Sequence, residues 1–161
     1  MPTTEREGPV TLSVLDRLID REPERKLEPP LTRSQSLREL KAALRRDLEW
    51  LLNTRRTIEA GPASLKELEH SLYNYGLPDV SSLYLRSSND QETLLKAIKT
   101  AINLFEPRLL NVKVTLEPAG GNTRVLHFAI EGLLRMDPAP EHVFFDTMLE
   151  PLSGQYQVKG T

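Results

Sequence analysis

A change of hydrophobic period at Pro107 divides this chain into two kinds of structure. Before it, Leu94, Leu95, Ile98, Ala101, Ile102 and Phe105 recur at helical spacing and define the buried face of an amphipathic helix. After it, Leu110, Val112, Val114 and Leu116 alternate with Asn111, Lys113, Thr115 and Glu117, the period-two pattern of a half-buried strand. The proline enforces the switch, because the residue preceding a proline is pushed out of the helical region. A second alternating run, Leu126, Phe128, Ile130 and Leu134, is interrupted by Gly132, a candidate bulge. The pattern predicts further strands over 142–149 and 156–158, with turns at Gly120-Gly121-Asn122 and Ser153-Gly154. Helices first and strands last predict an α+β fold, with N-terminal amphipathic helices packed on a C-terminal antiparallel β-meander.

The earlier half reads as helix and punctuation. Leu12, Leu15, Leu18 and Ile19 predict a short amphipathic helix over 11–20. Residues 21–33, with Pro23, Pro29 and Pro30, predict an extended linker, so residues 1–33 are set apart from a domain at 34–161. Ser36 and Glu39 match a capping box, and Leu37, Leu40, Leu44, Leu48 and Leu51 form the apolar stripe of a second helix. Its opposite face carries Arg38, Lys41, Arg45 and Arg46, which reads as a solvated surface. A short helix is expected over 65–73. The third helix opens at Asn89, with Glu92 in the box position. Between these last two helices, Gly76 permits the bend that lets Tyr75 and Leu77 pack under the sheet.

Composition removes several function classes. At 161 residues the chain suffices for one domain with a real core, and no cysteine is available for disulfides or thiolate ligands. A net charge of −2 supplies no general attraction to nucleic acid or anionic membranes. Neither an export signal nor a membrane-spanning run is legible, which points to the cytoplasm. His70, His127 and His142 lie far apart without tight ligand spacing, so no metal site is expected. Gly120-Gly121 follows one strand and precedes another, which suits a hairpin and not a phosphate cradle. The arginines between 33 and 56 lack aromatic interleaving, so nucleic-acid binding finds little support.

Three segments together carry a resemblance. They are Asp47-Leu48-Glu49-Trp50-Leu51-Leu52-Asn53-Thr54-Arg55, Ser71-Leu72-Tyr73-Asn74-Tyr75-Gly76-Leu77-Pro78-Asp79, and Glu106-Pro107-Arg108 between an amphipathic helix and a Val-Lys-Val strand. In this order the chain resembles the TssE family of type VI secretion baseplate wedge subunits, shared with a "lysozyme-like" wedge protein of contractile-tailed phages. Ile130-Glu131-Gly132-Leu133-Leu134 and Phe145-Asp146-Thr147 fit the same pattern, over roughly residues 14–158. The resemblance implies a non-enzymatic structural subunit without cofactor, at the cytoplasmic face of the inner membrane. It further implies wedge partners TssF, TssG and TssK, and a role in joining the wedge to the TssB–TssC sheath and templating sheath assembly.

Two sets of residues are then expected to bind protein. An outer edge over 142–158, with Phe145, Thr147, Tyr156 and Val158, would accept a strand through unpaired main-chain groups, unless the last strand merely closes the sheet. Glu106, Pro107 and Arg108 form a rigid corner that could face TssF and TssG, or bridge internally and pin helix to strand. Two other functions compete. A regulatory anti-adaptor resembles the same fold. A peptidoglycan glycosidase would need a proton-donating carboxyl among Glu106, Glu117, Asp137 and Asp146, and the cation of Arg108 two residues away argues against Glu106 in that role.

Overall fold

The computed structural model describes residues 10, 12–19, 23–24, 31–57, 61–62, 64–80, 83, 87–118 and 125–160. The elements run α1 (Val14–Leu18), α2 (Arg33–Asn53), α3 (Ser88–Phe105), β1 (Leu109–Leu116), β2 (Leu126–Leu134), β3 (Glu141–Glu150) and β4 (Gln155–Gly160). The expected α+β order is what the chain adopts. Contacts divide it into compact units of residues 1–44 and 45–161, with the boundary inside α2.

In the first unit, Ser13 caps α1 by accepting from the Asp16 N–H. The apolar positions of α1 are nevertheless exposed, Leu18 at 76 %. The start of α2 lies one turn earlier than Ser36 suggested. Thr32 N–H donates to Gln35 Oε1 at 2.9 Å, and Gln35 N–H donates back to Thr32 Oγ1 at 3.3 Å. That reciprocal pair is a capping box. Ser36 is instead fully buried within the helix and donates to the Thr32 carbonyl. Both Thr-x-x-Gln and Ser-x-x-Glu satisfy the pattern, and the helix takes the earlier one. Leu40 and Leu44 of the predicted stripe are buried.

The second unit is built on one antiparallel sheet in the order β1-β2-β3-β4, with α3 against β1. Leu94, Ile98, Ala101 and Ile102 of α3 are buried, as are Leu48, Leu51 and Leu52 of α2. One face of the sheet contributes Val112, Phe128, Ile130, Val143, Phe145, Leu149, Tyr156 and Val158 to the core. The bulge sits on β1, across from the glycine that had suggested it: the register shifts between Leu110 and Lys113, and Asn111 has φ 54°. In consequence Leu109 points inward, 3 % exposed, whereas Leu110, the expected core residue, is only half-buried. Gly132 makes room for this, since a Cβ there would lie 2.8 Å from Leu109 Cδ1.

Two short 3₁₀ turns, Lys66–His70 and Leu72–Asn74, replace the helix expected over 65–73. Gly76 then adopts φ 105°, and any Cβ there would strike the Thr54 carbonyl oxygen. The close approach lets Leu77 N–H donate to Thr54 O at 2.8 Å and Arg56 N–H to Leu77 O at 2.9 Å. Leu77 is buried, and Tyr75 meets Phe105 of α3 edge-to-face at 5.3 Å. Helix α3 begins at Ser88, with Ser87 as a cap that makes no side-chain bond. The glycine turn expected at 120–122 lies outside the described residues.

Candidate functional site

The corner forms where α3 stops. Glu106 N–H closes the helix on the Ile102 carbonyl at 2.8 Å, and Pro107 turns the chain into β1. Arg108 folds back over this turn. Its Nε donates to Glu106 Oε1 at 2.7 Å and its Nη2 to Glu106 Oε2 at 2.6 Å. Nη2 also reaches Asp47 Oδ2 on α2 at 2.6 Å. Asp47 Oδ1 in turn accepts from Arg46 Nε and Nη2 at 2.9 and 2.7 Å. The main chain joins in, Arg135 N–H donating to the Arg108 carbonyl at 2.7 Å.

Glu106 is 5 % exposed, and Arg108 engages both of its oxygens, the pairing that a buried carboxylate requires. These bonds, Glu106 foremost, raise the Arg108 pKa against the lowering effect of burial. Chemically this is an internal bridge tying α2 to the α3–β1 junction. Beside the network, the Arg46 guanidinium stacks 4.9 Å over the half-exposed Trp50 ring.

The second candidate is the β4 margin. Phe145 and Thr147 lie on β3, one strand in from it, and both side chains are buried on the core face. Tyr156 and Val158 lie on the margin itself, their side chains also turned inward, each 3 % exposed. The hydrogen bonds fix which main-chain groups face out. Tyr156 N–H donates to Asn53 Oδ1 and Asn53 Nδ2 donates to Tyr156 O, both at 2.9 Å, so Tyr156 directs its peptide groups away from β3. In an antiparallel pair, outward-facing residues alternate, which makes Val158 and Gly160 the next two. Among the described residues nothing bonds to the outward groups of Val158. They line a groove of about 600 Å³ between β4 and the end of α2, flanked by Glu49, Asn53, Arg55 and Lys159.

On the opposite face of the sheet, Glu117, His127 and Asp146 come from three neighbouring segments, with one potential ligand atom from each within 4.8 Å of the others. Distance along the chain had hidden this grouping. Asp47 and Asn53 were missed for the same reason: both stand in the quoted Asp47–Arg55 segment, but their partners lie 61 and 103 residues away. Among the described residues, no helix is long and apolar enough to cross a membrane.

Comparison with known proteins gives one match. The model of the family described as "Baseplate wedge protein gp25" covers residues 38–139, taking in the corner and β2 and ending before β3. No curated protein and no solved structure matches the chain. Residues 38–139 are well over half of the sequence, and the chain therefore belongs to the gp25 baseplate wedge family.

Proposed function

We propose that this chain is the structural wedge subunit of a type VI secretion baseplate, joining the wedge to the contractile sheath and templating sheath assembly. Family membership supports a structural role in a baseplate. The observation that carries the finer reading is the β4 margin, where Val158 offers an outward N–H and C=O at the edge of a groove. Main-chain groups so placed recognise another extended backbone, and polymerisation from one end needs such an edge at its base. In this reading the TssB–TssC sheath pairs with β4, and TssF, TssG and TssK hold the subunit at the cytoplasmic face of the inner membrane. The Glu106-Pro107-Arg108 corner serves by rigidity, presenting one fixed surface to TssF and TssG. The role asks for no cofactor and no catalysis.

Val158→Pro tests this reading. Because the Val158 N–H faces away from β3, a proline deletes the outward donor while sparing the β3–β4 hydrogen bonds. The variant is expected to co-purify with TssF and TssG yet fail to nucleate sheath, scored by fluorescent-sheath imaging. Normal sheath growth with a folded variant would discard the reading.

A further inference from the structure

We infer that Asn53 is a register stop on the β4 margin: its side-chain amide occupies the place of a peptide group, so an incoming strand pairs from Val158 outward and no further. The inference rests on the strand-accepting role proposed above and specifies where that strand begins.

An incoming strand would satisfy Tyr156 with one carbonyl and one N–H, the complement that a carboxamide also carries. Asn53 supplies both, at 2.9 Å each. The contact therefore also names the chemistry of the occupant: the margin receives an amide group, which in a second polypeptide means extended backbone. The amide is not loosely placed. Its Nδ2 also donates to the Glu49 carbonyl one turn back at 2.9 Å, which sets its orientation from within α2. Displacing it breaks three hydrogen bonds and moves the partner strand against the last turn of the helix. At Val158 none of this applies, and the groove runs on along β4 to Lys159. Because strand side chains alternate with period two, a fixed first rung also fixes which face each partner residue presents. A lattice built on this edge inherits its phase from one asparagine.

The absence of cysteine makes the test direct, since each introduced thiol is unique. Full-length chains carrying Gln155→Cys, Gln157→Cys or Lys159→Cys are mixed with the sheath subunit pair bearing single cysteines along its docking strand. Disulfide yield is then mapped position by position. The expected pattern has cross-links at 157 and 159 and background at 155. In an Asn53→Ala background, 155 cross-links as strongly as 157, and the register moves by one rung, about two residues. Should Asn53→Ala fail to fold, Asn53→Ser substitutes, because its shorter side chain does not reach both Tyr156 groups and opens the same rung. Cross-links at 155 in the parent chain, or a map unchanged by either variant, would overturn the stop while leaving β4 docking intact. Absence of cross-links at all three positions with sheath still bound would instead remove the docking role itself.

Discussion

Thr147 and Tyr156 bury hydroxyls that find no hydrogen-bond partner among the described residues. A buried donor without a partner loses its water and gains nothing in return, while an apolar group of the same shape carries no such cost. Thr147→Val is therefore expected to stabilise the chain by about 1 kcal/mol, read from the urea midpoint. A lower midpoint would mean that the hydroxyl is satisfied after all. At this scale the sequence was least legible. It marked Tyr156 and Val158 by alternation but could not show that Asn53 reaches one of them across 103 residues. It likewise offered Glu106 and Arg108 as a pair without Asp47, whose link to Arg108 exists only once the helix and the sheet are assembled.

Between elements, one join is the guanidinium of Arg108, shared by α2 and the α3–β1 junction. Arg108→Ala leaves the Glu106 carboxylate buried without its cation. The expected loss is about 2 kcal/mol, below that of a fully buried pair because the Arg108 side chain keeps 26 % exposure. An unchanged thermal midpoint would show that the bridge carries no stability and would favour an interface role. Element identity followed from hydrophobic period, since that depends only on neighbours along the chain. Element boundaries did not. The start of α2 depended on which of two competing caps the helix used, and the inward residue of β1 depended on a bulge that only the β1–β2 register places.

For the molecule as a whole, alkaline pH probes the packing of its tyrosines. Burial pushes the Tyr156 hydroxyl up to about 12 from its usual 10. Tyr75 is also raised, by burial first and then by Asp47 and Glu106. Both shifts favour the neutral phenol in the folded state. The stability they confer is whole below pH 10 and is lost as pH rises toward about 12, where Tyr156 ionises even when folded. Each unit is equivalent to about 1.4 kcal/mol, so the rise from 10 to about 12 at Tyr156 is equivalent to roughly 3 kcal/mol. Tyr156→Phe is expected to flatten the decline, measured by urea unfolding at intervals across it. An equally steep fall in that variant would assign the effect elsewhere.

Six residue steps along one helix separate Asp47, which holds the entry to β1 through Arg108, from Asn53, which holds β4. These are the two outer strands of the sheet, and the rigid span joining them is only about 9 Å of α-helix. The arrangement works as a bowstring. Splaying or retwisting the four strands requires one of its two end knots to give way, so a tug on the far rim is resisted across the full width rather than absorbed by strand-by-strand peeling.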